Sequence, residues 1–186
     1  MHLTLISYPR SMDPRMEAAA FAARPDPAPQ PRSRAFGRCQ HPSQLRELLA
    51  SHGRRRVRRL DLVGHGRPGT LRMGSGVVVT PEPSSWSLLA GLDPYLHPQA
   101  ELRLLGCHTG ADREGFEVLR GVSALMGRTV WGTASLLYSG DWGELGLKDE
   151  VAREWLVSSA GLATPVPARR RFGDPPVERE SGRRVA

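Results

Sequence analysis

Only two cysteines, Cys39 and Cys107, occur in the 186-residue chain. That is too few for a disulfide framework, and no C-x-x-C pair suggests zinc. Histidines number six and are scattered, so no metal or other cofactor is expected. Aromatic residues make up 6% of the chain, and none interleaves its arginine runs as a base-stacking platform would require. No stretch approaches the roughly 18 apolar residues of a membrane span. The opening MHLTLISYPR has no basic leader and too short an apolar run for a secretory signal. The expectation is a cytoplasmic chain with free thiols. What remains, 39% hydrophobic and 24% charged residues, fits one ordinary globular domain with a sizeable core.

The net charge of +7 is unevenly placed. Residues 1–59 carry +8, residues 60–165 carry −4, and the tail from Val166 carries +3. Lys148 is the one lysine, Ile6 the one isoleucine, and asparagine is absent, a skew that looks like arginine codon choice in a GC-rich genome. The run Arg54-Arg55-Arg56-Val57-Arg58-Arg59 reads as a solvated helix–strand junction, with an anion-binding patch as the alternative. Nucleic acid is not the expected partner.

Apolar patterning divides the chain. Residues 1–8 read as a first strand, and 9–42, rich in Pro, Ala and Arg, as a loop or disordered insert. An α/β domain then spans 43–163, and the Pro/Arg/Glu-rich residues 164–186 read as a disordered tail. Within the domain, Ser43 caps a helix carrying Leu45, Leu48 and Leu49 on one face. A strand over 57–63 stops at the turn Gly64-His65-Gly66-Arg67-Pro68-Gly69. A hairpin over 71–73 and 77–80, and a helix through Leu92, precede a buried strand over 102–105. That strand stops at Gly106-Cys107-His108-Thr109-Gly110. A helix over 113–126 ends at Gly127, and a strand over 129–131, the loop 139–143 and a helix over 148–158 complete the domain. Strands alternating with helices imply a mostly parallel sheet between helical layers.

Ligands and reacting groups collect at the carboxyl edge of such a sheet. Two strand-end turns sit there, one with His65, the other with Cys107 forty-two residues later. An imidazole beside a thiol is the usual route to a thiolate nucleophile near neutral pH. The flanking glycines let backbone approach a peptide, and the Gly66 and Cys107 amides could hold an oxyanion. Taken alone, a strand-end cysteine is a small buried hydrophobe and a histidine in a glycine loop a turn residue.

The blocks LDLVGHG (60–66) and ELRLLGC (101–107) resemble the caspase-like cysteine peptidases, the superfamily of caspases, gingipains and separase: an apolar strand ending in His-Gly, then one ending in the nucleophilic Cys. The caspase signature Q-A-C-[RQG]-G is not matched, so aspartate specificity does not transfer. The blocks DLVGHGRPGTLRMG (61–74), LRLLGCHTGADREGFEVL (102–119) and SGDWGEL (139–145) are similar to a bacterial domain family of unknown function found in very large surface proteins. The resemblance covers about residues 57–147 and implies a caspase-like three-layer α/β/α sandwich with the dyad His65 and Cys107. It also implies a specificity pocket offering Thr109, Trp131, Thr133, Asp141 and Trp142, in which Asp141 would favour a basic residue. A tight turn capped by Asp141 is the competing reading.

Asp61 is a candidate for orienting His65, but strand alternation puts it on the face of Val63. His108 neighbours Cys107, yet adjacent residues of an extended segment point apart, and His41 and His97 read as loop residues. A nucleophile elbow G-x-S-x-G fails because Gly66 stands where serine is needed. The expected activity is cysteine endopeptidase action on a protein or peptide substrate, with an activating partner as a further expectation. The alternative is a catalytically idle caspase-like binding module.

Overall fold

The computed structural model describes residues 1–7, 34–143, 146–160 and 164–169. Along the chain these form β1 (His2–Ser7), β2 (Arg34–Cys39), α1 (Leu45–Ala50) and β3 (Val57–Val63). Next come β4 (His65–Arg67), β5 (Thr70–Met73), β6 (Gly76–Val79), α2 (Ser87–Ala90) and β7 (Leu96–Leu105). The chain continues through α3 (Asp112–Met126), β8 (Val130–Thr133), β9 (Trp142–Gly143), β10 (Gly146–Leu147), α4 (Asp149–Trp155) and β11 (Leu156–Ser158). Tyr8 and residues 9–33 of the expected insert, Glu144, Leu145, 161–163 and 170–186 lie outside the described residues.

One six-stranded sheet organises the fold, in the order β11-β8-β7-β3-β1-β2. All its pairs are parallel except β11 against β8. Alternation along each strand splits the apolar residues between two faces. Leu5, Leu62 and Leu104 belong to the larger core, where α1, α3 and the three-stranded sheet β4-β5-β6 contribute Leu45, Val118 and Leu71. Ile6, Val63 and Leu105 point the other way, onto Trp142, Leu147 and Val151 of β9, β10 and α4. The expected α/β class and mostly parallel sheet are therefore found, with helices on both faces as a three-layer sandwich requires.

The second face changes character along the strands. One row back from Ile6, Val63 and Leu105 stand Thr4, Asp61 and Arg103, in register. Asp61 is 1% exposed; its Oδ2 lies 2.8 Å from His2 Nε2, and Arg103 Nε stands 3.9 Å from Oδ1. Burial pulls the Arg103 guanidinium below its ordinary range, against the raising pull of Asp61.

Several expected elements differ. Residues 34–39, assigned to the insert, form the edge strand β2, whose pairing with β1 supplies the order that its polar sequence does not advertise. The first six tail residues are pinned, since Asp112 N donates to Val166 O at 2.7 Å and Arg169 N to Ala134 O at 2.7 Å. Pro165 and Pro167 favour the extended backbone that makes those bonds reachable. His65–Arg67 is a strand and not only a turn, because the reversal is confined to Pro68-Gly69, where Gly69 has φ 66°. The helix over 148–158 ends at Trp155, and Leu156–Ser158 joins the sheet edge. Strand β7 begins at Leu96, where Leu96 pairs with Val57. Ser43 does not cap the first helix: it lies in the 3-10 turn Pro42–Gln44 that leads into α1, and that turn is capped by His41, whose Nδ1 accepts from Ser43 N at 3.2 Å.

Leu104 is fully buried in the main core, whereas Leu125 on α3 is 51% exposed. Leu104→Ala should lower unfolding free energy by about 2–5 kcal/mol and Leu125→Ala by less than about 0.5 kcal/mol. Urea denaturation of the two variants checks this, and equal midpoints would contradict the layer assignment.

Candidate active site

Strands β3 and β7 are neighbours and run parallel, so the turns that follow them leave the sheet side by side. The first stays attached beyond the strand end, as Gly64 N donates to Leu105 O at 3.1 Å. At Gly66 an added Cβ would lie 2.6 Å from Cys107 O and 2.7 Å from Cys107 N. At Gly106 it would lie 2.9 Å from both Gly66 Cα and Gly66 N. Only glycine on both sides permits this approach, so the His65 and Cys107 segments touch backbone to backbone. The segments that meet carry His65, which is exposed, and Cys107, which is half-buried.

The Cys107 turn is held from beneath. Thr109 Oγ1 donates to Leu104 O at 2.5 Å and accepts from Thr133 N at 3.1 Å, while Thr133 Oγ1 donates to Gly106 O. Both threonines are buried, at 1% and 0% exposure, so they brace the Cys107 loop and do not line an open pocket. His108 sits at φ 57°, a left-handed conformation uncommon outside glycine. It is fixed there by its N–H to Ser135 O at 3.0 Å and its Nδ1 at 3.3 Å from Ala134 O. The ring of His108 is therefore committed to the β8 loop. Leu137 N donates to Cys107 Sγ at 3.5 Å, and among the described residues no backbone carbonyl accepts from the Cys107 amide.

The remaining candidates are dispersed. Trp131 stands in register with Arg103 and Ser158, a row behind the strand end, with its Nε1 buried and unpartnered. Asp141 is 6% exposed; its Oδ2 accepts from Tyr138 N at 2.7 Å, closing the Ser139–Asp141 turn. Trp142 fills the second core. Asp61, on the Val63 face as alternation anticipated, pairs with His2 and not with His65.

Residues 39–152, more than half of the chain, match the family model described as a domain of unknown function, DUF4347. The chain belongs to the DUF4347 family. No curated protein and no solved structure matches it. The DUF4347 segment starts on β2, encloses both glycine-backed turns and stops within α4.

Two features of this DUF4347 site were not singled out from sequence. One is the 134–138 loop, whose Leu137 amide reaches the thiol; nothing in the residue types marks a backbone donor. The other is an open groove of about 390 Å³ on the exposed face of β4-β5-β6, lined by His65, Gly66, Arg67, Thr70, Arg72 and Val77. Its signal was the alternation of His65, Arg67 and Arg72 with the core residues Leu71 and Met73, hidden because the stretch read as a turn.

The two thiols contrast. Cys39 is fully buried, donates to His41 O at 3.1 Å, and is pushed above its ordinary pKa by that burial, partly offset by the hydrogen bond. In the native protein, Cys107 should alkylate about tenfold or more faster than Cys39, with both modified once the chain is unfolded. Peptide mass spectrometry after brief iodoacetamide treatment reads this directly, and equal native rates would contradict the site.

Proposed function

We propose that this DUF4347 domain is a caspase-like cysteine endopeptidase with His65 and Cys107 as its dyad. The observation that carries the reading is the glycine-mediated contact of the two strand-end turns at the carboxyl edge of a parallel sheet. That edge is where this architecture collects reacting groups, and the touching turns are the ones that carry an imidazole and a thiol, which supports the reading.

The chemistry follows from those groups. The Cys107 thiol passes its proton to His65, and Sγ attacks the scissile carbonyl carbon, forming a C–S bond and an oxyanion. The Gly66 and Cys107 N–H groups stabilise that oxygen. As the carbonyl re-forms, the C–N bond breaks and the His65 imidazolium gives its proton to the leaving amine. Water, deprotonated by His65, then attacks the thioester, releasing the acid and restoring the thiol. Thr109 and Thr133 act as positioning residues, because they fix the Gly106–Cys107 backbone. The substrate is a protein or peptide, its segment beyond the scissile bond lying along the His65 groove.

Cys107→Ala and His65→Ala should each lower cleavage of a peptide library by about 10³-fold or more while leaving the circular dichroism spectrum unchanged. In His65→Ala the alkylation advantage of Cys107 over Cys39 should shrink. Undiminished cleavage by folded Cys107→Ala would refute the mechanism. A wild-type protein that neither cleaves nor alkylates quickly would be the idle binding module instead.

A further inference from the structure

The arginine-rich junction is not simply a solvated link between α1 and β3. Residues 51–58 bend around a cleft of about 670 Å³ at the amino edge of the sheet, the end away from Cys107. Its polar walls are His52, Arg55, Arg56, Arg58 and His97, and no acidic side chain lines it among the described residues. Two neighbouring arginines are neutralised, Arg59 by Glu101 at 3.5 Å and Arg128 by Asp93. No carboxylate among the described residues pairs with Arg55, Arg56 or Arg58.

The cleft backbone is also fixed. Arg55 N donates to Pro94 O at 3.2 Å, Met1 N to Arg56 O at 2.8 Å, and Arg58 N to Met1 O at 2.8 Å. Arg55 is held at φ 53°, a left-handed conformation that costs an arginine energy and persists where the surroundings impose it. Three unneutralised guanidinium groups on a pinned loop form a concave cationic surface whose backbone is ordered before any ligand arrives.

We propose that this cleft binds a small, multiply phosphorylated ligand, with Arg55, Arg56 and Arg58 as its charge partners. Guanidinium groups suit phosphate because each presents paired donors in a planar fork. The volume lies in the range of small-molecule sites, and among the described residues no Phe, Tyr or Trp lines it to stack a base, which favours a compact polyphosphate over a nucleic-acid strand. His97 provides an internal reporter. Its imidazole is kept below the ordinary histidine range by desolvation first, then by Arg58, the Met1 amine, Arg128 and Arg55. Bound phosphates would offset those cations, so His97 should take up a proton more readily in the complex.

The test uses the full chain and inorganic tripolyphosphate, titrated by calorimetry at about 0.1 M salt. One saturable site is expected, weakened about fivefold or more in Arg56→Gln and in Arg58→Gln and unchanged in Arg113→Gln on the exposed face of α3. The His52 and His97 ring resonances of the unmutated protein should shift with the same saturation, and His97 should titrate at higher pH when tripolyphosphate is bound. Absence of saturable binding would overturn the proposal. So would binding that a folded Arg56→Gln/Arg58→Gln protein retains in full. Tighter binding of a duplex oligonucleotide through the same arginines would assign the cleft to nucleic acid and refute the small-ligand reading.

Discussion

Neighbouring parallel strands lie close because hydrogen bonds hold them, but beyond the last bond side chains push the two chains apart. In this protein the separation does not occur after β3 and β7. Gly66 and the Gly106–Cys107 peptide meet at distances that no Cβ could tolerate, under 3 Å for an atom placed at either glycine. The Gly64 N–H still reaches Leu105 O past the strand end, so the two turns leave the sheet as one unit. Everything chemically interesting at this edge depends on that contact. It holds the turn that carries His65 against the turn that carries Cys107, backbone to backbone.

Such closeness has to be held from below, and the residues that hold it come from a third strand. Thr133, at the end of β8, ties Gly106 O, while Thr109 ties Leu104 O and receives the Thr133 amide. Each hydroxyl is buried and satisfied by backbone, so each contributes rigidity at little desolvation cost. His108 is consequently driven into a left-handed conformation, bonded at both its amide and its ring to the loop after β8. Residues named as pocket candidates from their position in sequence therefore act as the buttress of the loop they adjoin. The distinction is one of side-chain direction, which spacing alone does not reveal.

The central strands were legible because each is an apolar run cut off by glycine, as in LDLVG and LRLLG, and the glycines themselves marked the turns that matter. Alternation along β3 also predicted correctly that Asp61 shares the Val63 face. Its partner His2 was not foreseen, because the two are 59 residues apart and only the β1–β3 register brings them together. The edge elements were the least legible. Strands β2 and β11 lie at the two margins of the sheet, where one side of the ladder is unpaired and sequence constraints are weakest. The pinned residues 164–169 escaped for a related reason: their order comes from backbone bonds to Asp112 and Ala134, which composition does not encode.

Strand β3 connects the two ends of the molecule that carry unusual chemistry. Arg58 lies at its start and His65 follows its last residue, so the cationic cleft and the Cys107 turn are separated by about 20 Å of extended chain. Between them β3 buries Leu60 and Leu62 in the larger core, Val63 in the second, and Asp61 in the polar row behind it. A segment clamped on both faces and hydrogen-bonded on both edges has no second arrangement of comparable energy. Charge in the cleft is likewise screened over that distance, which exceeds two Debye lengths in physiological salt. The two ends are thus placed by the same strand yet energetically insulated by it. A ligand at the amino edge would act on the carboxyl edge through the connections around the sheet, and not through the sheet itself.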